Sequence, residues 1–545
     1  MVEEEAKSLP MELSEKGGVE NNGFVQNEAV DDNGTNSSTQ EEVTKACAVD
    51  VDAAATEEPV LKPYAGMPKE VLLKFSSQPQ YRVTREILFW LIIAIAVLLV
   101  CATIVIIALS PKCLDWWQAG PIYQIYPRSF KDSDMDGNGD LKGIQEKLDH
   151  ITYLNVKTIW ITSFYKSPLK DLGYGAEDFY DVDPMFGSMS DFENLLAAIH
   201  DRGIKVIMDL IPNHTSNKHQ WFQLSRNRTG KYTDYYIWQD CGQAAGSVTP
   251  PNNWVSVYGD SSWQFDDVRK QCYFHQFGKE QPDLNFHNLA VQQEIHDIIK
   301  FWLGKGVDGF SFSAVKYLLE AKHLRDEPLV NKSQNPVMYM LCLCFSSFCS
   351  VQTKNEPKMV FVYSCRFMGS DGDDKEDMEA TMMYYGTTFV QEADFPFNFN
   401  LINMKNLSGN SIFEAVNLWM RNMPSGKWPN WAVGSPNAAR LSSRIGKEYV
   451  NVMNMLILTL PGTPVTYYGE EIGMENIASE SVNINQNILK SPMQWDGKVN
   501  AGFTEGNSSW LPVNPDYQSV NVEVETVVNA GEILSCLIIS VFTTP

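Results

Sequence analysis

Basic charge is what this sequence is short of. Across 545 residues, 43 Lys and Arg stand against 67 Asp and Glu, a formal net charge of −24. Nucleic-acid binders present clustered cationic residues, so no nucleic-acid partner is expected. The first 66 residues hold 15 Asp or Glu against 4 Lys and are poor in aromatics. They also lack helical or strand periodicity and cannot bury enough apolar surface to offset ordering entropy. Residues 1–86 are therefore predicted to be a disordered, acidic, cytoplasmic tail. The ten cysteines are scattered, without the pairing that metal ligation requires.

One stretch lacks charge, proline and glycine altogether. Ile87–Leu109, ILFWLIIAIAVLLVCATIVIIAL, has Thr103 as its most polar member. About 20 apolar residues in a helix cross a bilayer core, which predicts a transmembrane signal-anchor at 87–109. A polar tail of more than 80 residues precedes it, which argues against a cleaved leader. Lys69, Lys74, Arg82 and Arg85 precede the span, whereas Lys112 and Arg128 follow it. That bias places the N-terminus in the cytoplasm, giving a single-pass type II protein.

The outside portion then faces an oxidising compartment. Cys241 and Cys272 bracket 30 residues and are paired on that ground, the alternative being two free buried thiols. Cys113, in a neck at 110–119, stands four residues past the span with no core to receive it, which suggests an intermolecular bridge. N-x-S/T sequons lie outside at Asn227, Asn331, Asn406 and Asn507. Asn213 matches as well, and Asn33 and Asn36 match within the tail.

Beyond the neck, short apolar runs alternate with amphipathic segments. Ile122–Tyr126, Thr158–Thr162 and Lys205–Leu210 read as buried strands, another βα step follows at Gly309–Val315, and Pro464–Tyr468 reads as a late strand. Ile144–Leu154 and Asp191–Arg202 have helical spacing. Such alternation implies a parallel sheet, and its count favours an α/β, TIM-type (β/α)8 barrel. The barrel is expected at 120–212 and 284–526, interrupted by an inserted domain at 213–283 that is rich in Trp, Tyr, Asn, Gly and Pro.

Asp132, Asp134, Asp136, Asn138 and Asp140 place oxygen ligands at alternate positions with glycines between. Hard cations such as Ca²⁺ favour that pattern, although an acidic surface loop looks the same.

The phrases GPIYQIYPRSFKDSDMDGNGDLKGI (120–144), DLIPNHTS (209–216), GVDGF (306–310) and LPGTPVTYYGEEIGM (460–474) resemble the α-amylase superfamily. With the anchor, the cysteine before Trp116-Trp117, SPLKDLGYGAEDF and YFHQFGKEQPDLNF, the chain is similar to the heavy subunits of heteromeric amino-acid transporters. The inserted domain points to the heavy-subunit type that carries one.

That resemblance implies a disulfide through Cys113 to a polytopic light subunit, whose folding, stability and plasma-membrane delivery the chain would aid. It also implies cystine, dibasic and neutral amino acids as cargo, an apical epithelial site and a dimer of heterodimers. The family's nucleophile pattern G-F-R-x-D-A reads Gly309-Phe310-Ser311-Phe312-Ser313-Ala314 here. The acid matches Asp371, one methylene short, and the stabilising carboxylate matches Asn437. Asp209 and His214 persist. With Ser313, Asp371 and Asn437 degenerate, a non-enzyme is expected. The alternatives are a membrane-bound α-glucosidase and a carbohydrate-binding receptor.

The family further implies a Ca²⁺ site from Asn213, Asp283 and Glu320 with the Tyr317 and Leu318 carbonyls, and an antiparallel β-sandwich domain beyond the barrel. Two stretches depart from the family. One is 335–365, with Cys342, Cys344 and Cys349, and the other is 527–545, which reads as an atypical truncated end. Both suggest gene-model errors or divergent exons, and Ile533–Phe542 is too short to span a bilayer.

Overall fold

The computed structural model describes residues 66–110, 114–168, 173–244, 246–321, 323–327, 367–370, 378–386, 393–404, 406–477 and 487–528. The chain divides into two units, residues 1–110 and 111–545.

In the first unit, helix Lys69–Ser76 leads to helix Pro79–Leu109. The expectation of a structureless tail to residue 86 is corrected by this geometry. Pro79 occupies the first turn, where its missing N–H is no loss and its fixed φ suits the helix. Arg82 and Glu86 then pair one turn apart at 3.3 Å. The candidate membrane helix thus begins eight residues before the apolar run. Its 31 residues reach roughly 46 Å, enough for the hydrocarbon core and a headgroup layer. The Thr103 hydroxyl donates to the Leu99 carbonyl at 2.8 Å, so the most polar side chain of the apolar run is satisfied within its own helix.

The second unit is built on eight parallel strands: β1 Ile122–Ile125, β2 Thr158–Ile161, β3 Lys205–Leu210, β4 Gly309–Phe312, β5 Phe367–Ser370, β6 Phe395–Pro396, β7 Asn430–Ala432 and β8 Thr463–Tyr467. They neighbour one another in chain order, and β8 returns to pair with β1. The seam between β6 and β7 is bridged by a side chain. Asn430 Nδ2 donates to the Pro396 carbonyl at 2.7 Å, and the Asn398 N–H donates to Asn430 Oδ1 at 2.9 Å. The strands are near-continuous apolar runs, as a sheet covered by helices demands.

The covering helices are set by local signals. Ser188 and Asp191 form a capping box at the start of Met189–Asp201. Gly306, at φ 109°, ends Leu289–Lys305 and turns the chain into β4. The helix expected over Ile144–Leu154 is two short ones, Leu141–Glu146 and Leu148–Tyr153, broken at Lys147. Within the step expected at Gly309–Val315 the strand ends at Phe312, and Ala314 turns left-handed (φ 59°) to open a 3-10 turn over Val315–Tyr317.

Between β3 and the helix before β4 comes the insertion. Strands Trp238–Gln239 and Trp263–Asp266 flank Gln271–Phe274 in an antiparallel sheet. Trp254, Trp263, Cys272 and Phe274 form its own small core, and a disulfide joins Cys241 to Cys272. The insertion also grips the chain that follows β4. Asn253 exchanges two hydrogen bonds with the Glu327 backbone at 2.7 and 2.9 Å, and Trp254 Nε1 donates to the Arg325 carbonyl at 2.8 Å.

Candidate functional site

The C-terminal strand ends of a parallel barrel carry its sites, and here they open into a cavity of about 300 Å³. Asp209, near the end of β3, is buried and accepts a hydrogen bond from Trp160 Nε1 at 2.6 Å. Trp160 is itself held by stacking on Phe397 at 4.6 Å. Ser311 lies beside Asp209 in the β3–β4 register, its hydroxyl buried with no partner among the described residues. Ser313, Asn437 and Lys316 also line the cavity, with Gln124, Tyr174, Asn403 and Ser435. Among the described lining residues Asp209 supplies the sole carboxylate. Asp371 lies outside the described residues.

His214 does not join Asp209 in this cavity. It is buried against Phe277, with Nε2 near the Tyr174 carbonyl and the Gln281 amide, both at 3.2 Å. Burial pushes its imidazole down to about 4, so it is neutral at physiological pH. Lys316, Trp160 and Phe397 were missed as lining residues. Phe397 follows a two-residue strand too short to leave a periodic trace.

Three side chains that are far apart in sequence meet where the insertion joins the barrel. Asn213 and Asp283 stand at its two ends, linked by a His214–Asp283 bridge and by the Leu284 N–H donating to the Asn213 carbonyl at 2.8 Å. Glu320 enters from the segment after β4. Asn213 Oδ1, Asp283 Oδ2 and both Glu320 carboxylate oxygens are buried without a hydrogen-bond partner among the described residues. Burial pushes the Asp283 carboxyl up to about 8, and burial, then the Asp283 charge, raises Glu320 well above the ordinary range. Orphaned buried oxygens with two carboxylates among them are the donor set of a hard cation, whose charge would reverse both shifts. These residues fit Ca²⁺.

The acidic loop is divided. Carboxylate oxygens of Asp132, Asp134 and Asp136 lie within 4.8 Å of one another. Asp140 instead caps helix Leu141–Glu146, its Oδ1 accepting from the Gly143 N–H at 2.8 Å and its Oδ2 from the Ser133 N–H at 2.7 Å. Asn138 Oδ1 accepts from Arg128 Nε at 2.8 Å. Asn227, Asn406 and Asn507 are exposed, whereas Asn213 is 1% exposed and closed to an oligosaccharide. Cys113 and Asn331 lie outside the described residues, as do Cys342, Cys344, Cys349 and 529–545.

A family model described as alpha amylase, catalytic domain, matches residues 124–535. Another, solute carrier family 3 member 2 N-terminus, matches 52–123. The amino acid transporter heavy chain SLC3A1 of Rattus norvegicus is 60% identical over 96% of this chain and 79% of its own length. The chain belongs to the amino acid transporter heavy chains of the alpha-amylase family. The heavy chain is also similar to maltase 1 of Drosophila virilis, at 40% identity over 75% of this chain and 69% of that protein. An alpha-glucosyl transfer enzyme, XgtA, superposes with a TM-score of 0.69 at 34% identity, covering 78% of the heavy chain and 83% of its own. Glucosidase likeness is thus more distant and spans less of the heavy chain than transporter likeness does.

Proposed function

We propose that this heavy chain is the ancillary, catalytically inactive subunit of a heteromeric amino-acid transporter moving cystine, dibasic and neutral amino acids. The observation that carries this reading is the barrel cavity, where Asp209 is the sole carboxylate among the described lining residues, in a chain 60% identical to a transporter heavy chain. A retaining glycosidase needs a nucleophilic and an acidic carboxyl roughly 5 Å apart. Ser313 and Asn437 supply neither.

In this reading the helix Pro79–Leu109 anchors a type II glycoprotein at the plasma membrane, apical in epithelia, with Asn227, Asn331, Asn406 and Asn507 outside. Cys113 bonds a polytopic light subunit that encloses the transport path, since one helix cannot. Heterodimers pair into a dimer. Asn213, Asp283 and Glu320, with the Tyr317 and Leu318 carbonyls, hold Ca²⁺ and clamp the insertion to the barrel, and Asp132, Asp134 and Asp136 hold a second ion.

Non-reducing and reducing gels of the membrane-expressed chain, beside Cys113→Ser, test the proposal. The expected result is a heavy band that collapses on reduction, vanishes in the mutant and yields a polytopic partner by mass spectrometry. A wild-type monomer under both conditions would overturn it.

A further inference from the structure

A second cavity, of about 560 Å³, lies wholly within the insertion and belongs to neither the barrel mouth nor the Asn213–Asp283–Glu320 cluster. Its volume is that of a small-ligand site, roughly 300–1,000 Å³. Phe222, Phe265 and Tyr273 give it aromatic surface. Its rim mixes signs: Lys218 and Lys279 face Glu280, and the Arg226 guanidinium is already paired with Asp266 at 2.6 Å. No single charge dominates, so a neutral, hydroxyl-rich molecule suits it better than a phosphate or a cation. Arg226 and Gln223 add polar groups to the lining, with Gln264 and Asn217 beside them.

Helix Gln220–Arg226 contributes Phe222, Gln223 and Arg226 to the lining and ends at Asn227. Asn227 stands one helical turn past Gln223, on the same row of the helix surface. It is exposed, it opens the sequon Asn227-Arg228-Thr229, and its Nδ2 donates to the Gln223 carbonyl at 2.8 Å. N-glycosylation replaces one of the two Nδ2 hydrogens and leaves the other able to donate to the Gln223 carbonyl. The oligosaccharide's first sugars therefore emerge beside the cavity.

We infer that the cavity is the seat of the core N-acetylglucosamine residues of a glycan on Asn227, which rests on the outside orientation proposed above. Transfer from a lipid-linked oligosaccharide forms the Nδ2–C1 bond, breaks the sugar–pyrophosphate bond and releases the lipid pyrophosphate with the amide proton. The seated sugars cover the aromatic floor, and their acetamide and hydroxyl groups meet Gln223, Lys218 and Arg226.

Site-resolved release by peptide-N-glycosidase tests the inference on the folded, detergent-solubilised full chain. Asn227 is expected to be deglycosylated at least tenfold more slowly than Asn507 in the folded protein and at an equal rate after denaturation. Lys218→Ser with Gln223→Ser, at the cavity rim, is expected to abolish the protection. Equal native rates, protection that survives the double substitution, or an unoccupied Asn227 beside glycosylated Asn406 or Asn507 would each overturn it. An absence of glycan at every sequon would instead remove the orientation on which it rests.

Discussion

Asn430 and Pro396 close the barrel. The two lie on the strands that flank the seam, and the Asn430 carboxamide, from β7, donates to the Pro396 carbonyl at 2.7 Å and accepts from the Asn398 N–H at 2.9 Å, both on the β6 side. Asn430 is fully buried, so neither backbone group has water as an alternative. Asn430→Val is expected to leave both unsatisfied and to cost roughly 2–4 kcal/mol, read as a lower Tm of the solubilised chain. An unchanged melting curve would show that the seam closes without this side chain.

Calcium should govern the junction between insertion and barrel. In the cation-free protein Asp283 titrates near 8 instead of 3.8, and Glu320 is raised in the same direction. The folded chain then binds more protons than the unfolded chain between about pH 4 and about pH 8. Its stability therefore falls as pH rises through that window. Thermal melts in chelator are expected to show this slope. Free Ca²⁺ at 100-fold its Kd is expected to flatten it and add about 2.7 kcal/mol. Glu320→Gln should weaken the response to added Ca²⁺.

Glycoside hydrolysis should not return by repairing one position. Ser313→Asp restores a carboxylate beside the Asp209 cavity, but Asn437 still cannot supply a second. A nitrophenyl α-glucoside assay is expected to stay at background for both wild type and Ser313→Asp, since members of a catalytic set act as a unit. Turnover by the wild-type chain would contradict the inactive-subunit reading.

The insertion's hold on residues 325–327 is separable from the disulfide within it. Asn253→Ala removes both bonds to Glu327 and is expected to speed exchange of the Glu327 amide about tenfold, a local loss of about 1.4 kcal/mol. Replacing Cys241 and Cys272 by Ala frees a loop of sequence separation 31 and is expected to lower global stability by roughly 2–5 kcal/mol. Hydrogen exchange and melting distinguish the two effects.

The long buried strands were legible because β1 to β4 and β8 are runs of four to six residues rich in Ile, Val, Phe and Tyr. β6 and β7, with two and three residues, leave no period to read, and a side chain rather than a ladder joins them. The acidic loop was legible only in part. An Asp ahead of Leu141-Lys142-Gly143 is equally a cation ligand and a helix cap, and in the structure Asp140 accepts from the Gly143 N–H as a cap does. Asn213, Asp283 and Glu320 came from family likeness alone, since nothing in their spacing brings them together. Pro79 was the one local signal for an early membrane-helix start, and the apolar run that follows masked it.

The two ends of the insertion touch, with the Leu284 N–H on the Asn213 carbonyl and His214 bridged to Asp283. The segment thus leaves the barrel and returns to the same point, a detour with no net displacement. The barrel's path from β3 to the next helix therefore does not depend on how far the insertion reaches. It is a cassette: one that can be lengthened, shortened or exchanged without moving a barrel strand, so long as whatever replaces it keeps a partner for the Glu320 carboxylate.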